Sequence, residues 1–320
     1  MTNKPIQQIE VLPYNPEWPN QYEIEATKIK EALGSNLIEI HHVGSTSIPG
    51  LAAKPILDIL LTLHDTKFAI KALELIGFEF RSEYNVPFRL FFRNDEVKIP
   101  IKLHSFPAQH GHAELMLCFR NYLRNHPDIM NEYQNLKLNL VGDDSSFERG
   151  LGGFLNYTLR KNDFIKSVLK KAGFHGIVMN LCLHESEWTS AKNFRQKYFF
   201  DKILIKDPYE WTFDRPDHKH LVLYSGVRIV GYAHVQLWPE SRSIIRIIVI
   251  DESTRNLGLG SQFLQLIEKW LKSTGVKTIH ADSNKQALSF YKHHEYREMP
   301  LNDPDGYESD PEDISVGKSL

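Results

Sequence analysis

IIRIIVIDESTRNLGLGSQFLQLIEKW, residues Ile244–Trp270, joins an apolar run to a glycine turn and an amphipathic segment. Ile244, Ile245, Ile247, Ile248, Val249 and Ile250 are β-branched and crowded together, which predicts a strand with no wet face, central in its sheet. Asp251–Asn256 form a polar loop. Gly258 and Gly260 then open a helix, with Phe263, Leu264, Ile267, Trp270 and Leu271 recurring at helical spacing. Arg255, Gly258 and Gly260 spell R-x-x-G-x-G. Two glycines let the backbone turn sharply and approach a ligand with no Cβ in between. The first N–H groups of the helix lack partners inside it and, with the helix dipole, make an anion site suited to a pyrophosphate; Arg255 adds a cation beside it. The same glycines would also serve a plain strand–turn–helix, kept for the turn alone. A dinucleotide fold is disfavoured, because Phe263 stands where G-x-G-x-x-G needs its third glycine and the strands upstream read as antiparallel.

A second segment follows at Asn284-Lys285-Gln286-Ala287-Leu288-Ser289-Phe290-Tyr291, the pattern N-x-x-A-x-x-x-Y, with Tyr296 after it. With the two motifs in this order, residues from about 174 to 320 resemble the GNAT family of N-acetyltransferases. The resemblance implies acetyl-CoA as co-substrate and a primary amine as acceptor. It implies that the loop of Arg255, Asn256, Leu257, Gly258, Leu259, Gly260 and Ser261 cradles the CoA pyrophosphate. A backbone N–H among Ile248, Val249 and Ile250 would polarise the thioester carbonyl. Asn284 would hold the CoA arm or the helix start. Tyr291 matches the general acid that protonates the leaving thiolate; by pattern alone it also reads as a core tyrosine on an amphipathic helix. The general base is open among His234, His280, Asp282 and Glu252, with His234 carried as the catalytic candidate, and a water relay would need no dedicated base. One departure stands out: Glu295 occupies the place where the family usually has glycine before the aromatic.

The chain of 320 residues is long enough for two domains. A formal net charge of −2 offers no broad field for nucleic acid or an anionic membrane. Cys118 and Cys182 belong to no metal or redox spacing and read as small buried hydrophobes. The opening MTNKPIQQIEVLPYNPEW has no apolar signal core, and no apolar run reaches membrane-spanning length, so a cytoplasmic protein is expected.

In the first half, Ile9–Leu12 is a strand candidate, Glu17–Leu33 a helix stopped by Gly34, and Leu37–His42 a strand. Gly44-Ser45-Thr46 is a small-residue loop, and Pro55–Leu63 a strand carrying Asp58. The stretch VGSTSIPGLAAKPILDI resembles the GrpB family, a branch of the nucleotidyltransferase superfamily. FRNYLRNHP at Phe119–Pro127, Tyr133 with Leu136 and Lys137, and Tyr157–Phe164 agree with it. The resemblance implies a phosphate or nucleotide site near Gly44, Ser45, Lys54 and Asp58. Two-metal phosphoryl transfer, however, wants paired carboxylates at i and i+2, and Leu60 follows Asp58. In the hairpin Phe88–His104 the only acids, Asp95 and Glu96, fall in the turn. No metal is therefore expected. His41, His42, His104, His110, His112 and His126 lack metal spacing; His110-Gly111-His112 reads as a loop and His104 as a half-buried strand residue. Asn121–Leu140 is helical with an interruption at Pro127. Leu155–Ala172 is a last helix, closed by Lys170, Lys171 and Gly173. The domains are placed at 1–172 and 173–320.

In the second half, Ile177–His184 is a strand and Ser186 to about Phe200 a helical region, one wall of the acceptor cleft by resemblance. Asp207–Asp217 is a loop whose Tyr209, Trp211 and Phe213 pack it down. His220–Tyr224 and Arg228–Trp238 form a hairpin, Thr278–Ala281 a strand, Lys285–His294 a helix and Asp313–Lys318 a closing strand. Asp303–Asp313 is strongly acidic, a solvated loop or a lip attracting a cationic amine. The expected class is α+β: a nucleotidyltransferase-like domain followed by the GNAT fold, a mixed, mostly antiparallel sheet with helices on both faces. Three readings compete. They are an N-acetyltransferase, an acyl-CoA or nucleotide sensor, and a Mg²⁺-dependent nucleotidyltransferase working through Asp58.

Overall fold

The computed structural model describes residues 9–306 and 310–320. The chain divides into two compact units, Met1–Val178 and Met179–Leu320. In the first, strands β1 (Leu37–Val43), β2 (Leu57–Leu63), β3 (Glu79–Phe80), β4 (Leu90–Asn94) and β5 (Ile101–Pro107) form one sheet in the order β1-β2-β5-β4-β3. β2 and β5 run parallel, and the other pairs are antiparallel. Helix α1 (Trp18–Leu33) and helix α2 (Thr66–Glu74), the latter capped by Asp65, cover one face. There Leu57, Ile59, Leu61 and Leu63 of β2 pack on Trp18, Ala26, Ile29, Leu73 and their neighbours. A register slip of one residue would drive Asp58 into that apolar layer, so the alternation fixes which face Asp58 takes.

On Asp58's face, Leu60 packs with Val43, Phe106 and Ala113, the last from α3 (Gly111–Asn125). Helices α4 (Pro127–Val141), α5 (Asn156–Leu159) and α6 (Asn162–Lys171) follow. Ile48, Leu51, Leu123, Ile129, Tyr133 and Val168 make a second core there. Three expectations are corrected. Gly111 and His112 lie in α3 rather than a loop, because His110 accepts the His112 N–H and so caps the helix. The last helix is broken between α5 and α6. Ile9–Leu12 contributes only an isolated bridge, Leu12 to Ala53. Both cysteines are free and half-buried.

The second unit carries β6 (Ile177–Leu181), β7 (His218–Ser225), β8 (Arg228–Trp238), β9 (Arg242–Ile250), β10 (Thr278–Ser283), β11 (Arg297–Glu298) and β12 (Ile314–Ser319). Their order is β11-β12-β10-β9-β8-β7-β6. β9 and β10 are parallel; β7–β8, β8–β9, β10–β12 and β11–β12 are antiparallel. Helix α7 (Glu185–Arg195) and helix α8 (Leu259–Ser273) take opposite faces: a Cβ on Gly231 would meet Phe263 of α8, whereas the next residue, Tyr232, faces Arg195 of α7. Phe263, Leu264, Ile267, Trp270 and Leu271 are all buried, as their spacing predicted. A short helix, α9 (Leu288–His293), carries Tyr291.

After α7 the chain makes a π-turn, Gln196–Phe200, and a loop that returns under it. One buried ion pair pins that loop. Arg195 and Asp207, 1% and 5% exposed at their side chains, meet at 2.9 Å, and Arg195 also donates to the Thr212 hydroxyl at 2.8 Å. Arg195→Met leaves Asp207 buried without its cation and is expected to destabilise this unit by about 3–5 kcal/mol. Urea unfolding followed by tryptophan fluorescence checks this, since four of the five tryptophans (Trp188, Trp211, Trp238, Trp270) lie in this unit.

Candidate active site

The site of the second unit begins where two strands part. β10 pairs with β9 only from Thr278–Arg242 to Ala281–Ile245, while β8 stays paired with β9 to Ile250. Beyond Ile245 one edge of β9 therefore has no strand partner among the described residues. The register against β8 also shifts between Ile245 and Ile247, so Arg246 is the extra residue of a bulge. Its guanidinium reaches Asp303 at 2.6 Å and the Gln236 side-chain oxygen at 2.7 Å. β9 is central, as expected, but Ile247, Ile248, Val249 and Ile250 are half-buried rather than dry, because β10 has left their side.

The loop after β9 is built on Asp251. Its carboxylate accepts from the Ser253 amide and from Arg228 at 3.1 Å, and sits 3.5 Å from the Tyr198 hydroxyl. Tyr198, in the π-turn, accepts the Glu252 amide at 3.0 Å, and Lys197 pairs with Glu252 at 2.6 Å. Arg255 lies over the Tyr198 ring. Asn256 and Gly258 have φ of 64° and 75°, and no side chain caps α8. A Cβ on Gly258 would meet nothing within 4 Å, and one on Gly260 would only touch Phe290 and Ile250 at ordinary distances. Gly258 supplies a left-handed turn, and both glycines leave open space beside the Leu259, Gly260 and Ser261 end of α8. Leu257 is exposed, and the Ser261 hydroxyl is turned to His294 at 2.9 Å. These residues fit a pyrophosphate held on backbone amides.

The Gly260–Phe290–Ile250 contact brings α9 to the mouth of the cradle. Asn284 holds the start of that helix, its side-chain oxygen accepting the Ala287 amide at 2.8 Å. Tyr291 is buried; burial and the Asp282 carboxylate push its phenol up, so it is protonated at neutral pH. Glu295 has φ 68°, the left-handed conformation a glycine adopts freely, and Tyr296 still returns its amide to the Tyr291 carbonyl at 3.1 Å. The turn survives the substitution at the cost of backbone strain.

Among the base candidates, His234 is buried in a histidine stack. Its Nε2 is 2.7 Å from His218 Nδ1, and its ring lies 4.6 Å from that of His220. Burial first, then the charges of His220, Arg195, His218 and Arg246, hold it well below the usual histidine range. Glu252 is exposed and paired with Lys197, Asp282 accepts from Ser315 at 2.8 Å, and His280 is buried near Trp238. The acidic stretch is only partly a solvated lip. Asp303 is buried against Arg246 and Asp305 accepts from Gln236 at 2.6 Å, while Tyr307, Glu308 and Ser309 fall outside the described residues.

In the first unit Asp58 is the centre. A Cβ on Gly44 (φ 68°) would strike its Oδ2 at 2.5 Å, so the glycine admits the carboxylate rather than a ligand. Ser45 opens a 3₁₀ turn. Asp58 Oδ1 lies 3.2 Å from His104 Nε2, and His104 Nδ1 lies 3.5 Å from Arg89. An arginine can only donate and a carboxylate only accept, so His104 is neutral with its proton on Nε2. Burial raises the Asp58 carboxyl, but the hydrogen bond from His104 and the charges of Lys102 and Lys161 outweigh it and keep the group ionised. A divalent ion does not fit here. Leu60 is buried and apolar, and Lys102 stands opposite Asp58 on β5. No group of three His, Cys, Asp or Glu side chains is arranged for a metal among the described residues.

Two family descriptions match the sequence: "GrpB protein" over residues 8–171 and "Acetyltransferase (GNAT) family" over residues 182–296. The chain belongs to the GrpB family and carries a fused GNAT domain. UPF0157 protein YqkA of Bacillus subtilis (strain 168) is 30% identical over 171 residues, 52% of this chain and 48% of YqkA. UPF0157 protein PA4798 of Pseudomonas aeruginosa is 39% identical over 145 residues, 42% of this chain and 58% of PA4798. The chain thus spans about half the length of these relatives. The crystal structure of conserved protein GrpB from Enterococcus faecalis is 33% identical and covers 51% of this chain and 96% of its own, with TM-score 0.44. That of an acetyltransferase of the GNAT family from Staphylococcus aureus MU50 is 18% identical and covers 45% and 99%, with TM-score 0.37. No helix of the described residues is long and apolar enough to cross a membrane.

Sequence reasoning missed Tyr198 and the π-turn that hold the GNAT loop, and His218 and His220 beside His234. In the GrpB unit it noted Lys161 within the GrpB-like stretch Tyr157–Phe164 but not its place near Asp58, and it missed Lys102 and Arg89. The alternation Ile101-Lys102-Leu103-His104 was the available signal, since it sets Lys102 and His104 on one face.

Glu295→Gly relieves the left-handed strain and is expected to gain about 0.5–1 kcal/mol net of glycine's added chain entropy, read as a higher melting temperature. The buried His220, pulled down to about 3 mainly by desolvation, titrates lower in the fold than in the unfolded chain. Its stabilisation is complete above about pH 6.5 and is lost as pH falls toward 3, about 2 kcal/mol by pH 5. Urea midpoints at the two pH values check this; His220→Gln should shrink the difference by about that amount, the remainder coming from the other buried histidines, His42, His110 and His234.

Proposed function

We propose that the GNAT unit transfers an acetyl group from acetyl-CoA to a primary amine. The observation that carries the reading is the open cradle at Gly258 and Gly260, set at the uncapped start of α8 where β9 has lost its β10 neighbour. Leu259, Gly260 and Ser261 amides, with Arg255, would hold the pyrophosphate. The free edge of β9 at Ile248–Ile250 would take the acyl arm and donate an N–H to the carbonyl oxygen as it becomes an oxyanion. Acetyl-CoA supplies a thioester carbonyl for the amine to attack.

The neutral amine adds to that carbonyl, the C–S bond breaks, and the amide leaves with the acetyl group. Tyr291, protonated at neutral pH, returns a proton to the thiolate sulfur. The proton lost by the amine leaves to water or to a base; His234 is the side-chain candidate, a weak one because burial holds it well below the usual histidine range. The acids of the 303–313 stretch not tied to Arg246 or Gln236 favour a cationic acceptor.

Calorimetric titration of acetyl-CoA into the full chain tests the reading. Binding is expected, and Gly258→Trp should abolish it by filling the cradle. Tyr291→Phe should keep acetyl-CoA affinity while lowering kcat by about 10²–10⁴-fold on whichever amine a thiol-release screen identifies. No binding by the intact chain would end the transferase proposal.

A further inference from the structure

The GrpB unit gathers more positive charge around Asp58 than its carboxylates answer. The ammonium groups of Lys54 and Lys161 both lie over the Tyr157 ring, 3.9 Å and 4.5 Å from its centroid. Lys102 stands opposite Asp58 across the parallel β2–β5 pair. Among the described residues none of these three makes an ion pair within 4.0 Å of a carboxylate, and none has an interaction beyond those described. Asp58 is already engaged by His104, and its other oxygen packs on Gly44. One carboxylate therefore faces three lysines, with Arg89 behind His104. The Asp58 side chain is 28% exposed, so solvent reaches the cluster.

The remaining neighbours do not offset this surplus. Tyr133 of α4 and Tyr157 of α5 are buried phenols raised by desolvation and stay neutral. Lys137 of α4 is a further cation, hydrogen-bonded to the Ala52 carbonyl. Ammonium groups partly withdrawn from water with no carboxylate beside them carry a desolvation cost that a counter-charge offsets. A divalent cation would raise that cost; a multiply charged anion removes it.

We propose that this cluster binds a phosphate-bearing ligand, a phosphate ester or polyphosphate, directly on Lys54, Lys102 and Lys161 with no bridging metal ion. The lysines occupy the role that metal ions play where paired carboxylates hold a phosphate chain, and Asp58, held by His104, is the one negative charge beside them rather than a cation ligand. Burial brings Lys54 down to about 7 and Lys161 to about 8, so the bound anion also draws protons onto the site.

The test is calorimetric titration of inorganic pyrophosphate, and separately of sulfate, into the full chain in EDTA. Pyrophosphate binding is expected without Mg²⁺. Lys54→Met/Lys161→Met should weaken it by about tenfold or more with the thermal unfolding profile retained. Sulfate keeps its charge across neutral pH, so its affinity should fall by up to about tenfold between about pH 6.5 and 8.5 as the lysines deprotonate. Asp58→Asn separates the alternatives without disturbing shape: removing the lone negative charge should tighten pyrophosphate binding, whereas a metal-bridged site would lose it. Binding only with Mg²⁺, loss of binding in Asp58→Asn, no binding at all, or affinity unchanged in the double lysine variant (an adventitious ion only) each overturns the proposal.

Discussion

The candidate acyl-transfer site depends on β10 leaving β9 after a few paired residues. A strand that lost both neighbours would fray, and one that kept both would have no backbone groups to offer. β9 keeps β8 to Ile250 and loses β10 after Ile245, so it is rigid on one edge and open on the other. The bulge at Arg246 falls at this transition. Its guanidinium is neutralised by Asp303, whose side chain is 3% exposed, and shares the Gln236 amide oxygen. An ion pair this buried costs desolvation and returns most of it only through good geometry, which ties the chain after Leu301 to the place where the sheet opens.

The same rigidity is passed to the loop after β9 from the opposite face. Tyr198 and Lys197 engage Glu252 and Asp251 from a π-turn, a form that recurs at functional sites. The π-turn in turn is held between α7 and the loop that Arg195 and Asp207 lock beneath it. A chain of contacts thus runs from a buried ion pair to the amides at the start of α8. The glycines there provide space, and these contacts fix where that space is.

Much of this was legible in the sequence, and the missing parts share a cause. Gly258, Gly260 and Tyr291 declare themselves because positive φ, close backbone approach and a helix start restrict residue type locally. The length and faces of α8 followed from its apolar period. Glu295 shows the limit of such local rules: the pattern asks for glycine, and the fold imposes the glycine conformation on a glutamate. The α2 helix had its Asp65 cap in plain view but only a short apolar stripe. The Asp58–His104–Arg89 chain, the Arg195–Asp207 pair and the histidine stack depend on strand register and on a loop's return path. The alternation in β5 says that Lys102 and His104 share a face, but only the parallel pairing with β2 says that this face is Asp58's. Register across a crossover is a tertiary property, and no local pattern encodes it.

The two proposed anion sites would answer negative charge in physically different ways. At the start of α8 the positive ends are backbone N–H dipoles and the permanently charged Arg255 guanidinium, neither of which is switched off near neutral pH; the dipoles' strength rests on orientation, and orientation rests on the loop's anchoring. Around Asp58 the positive ends are ammonium groups, whose burial brings two of them into the neutral range. Such a site presents the same charge at every pH near neutral, so its selectivity rests on shape. A lysine site can be made selective by charge, because each protonation step changes the number of charges it presents. Gly44 has a place in that difference: having no Cβ, it lets the Asp58 carboxylate approach the loop and so sets one fixed negative charge beside the ammonium groups, two of which lie over the Tyr157 ring.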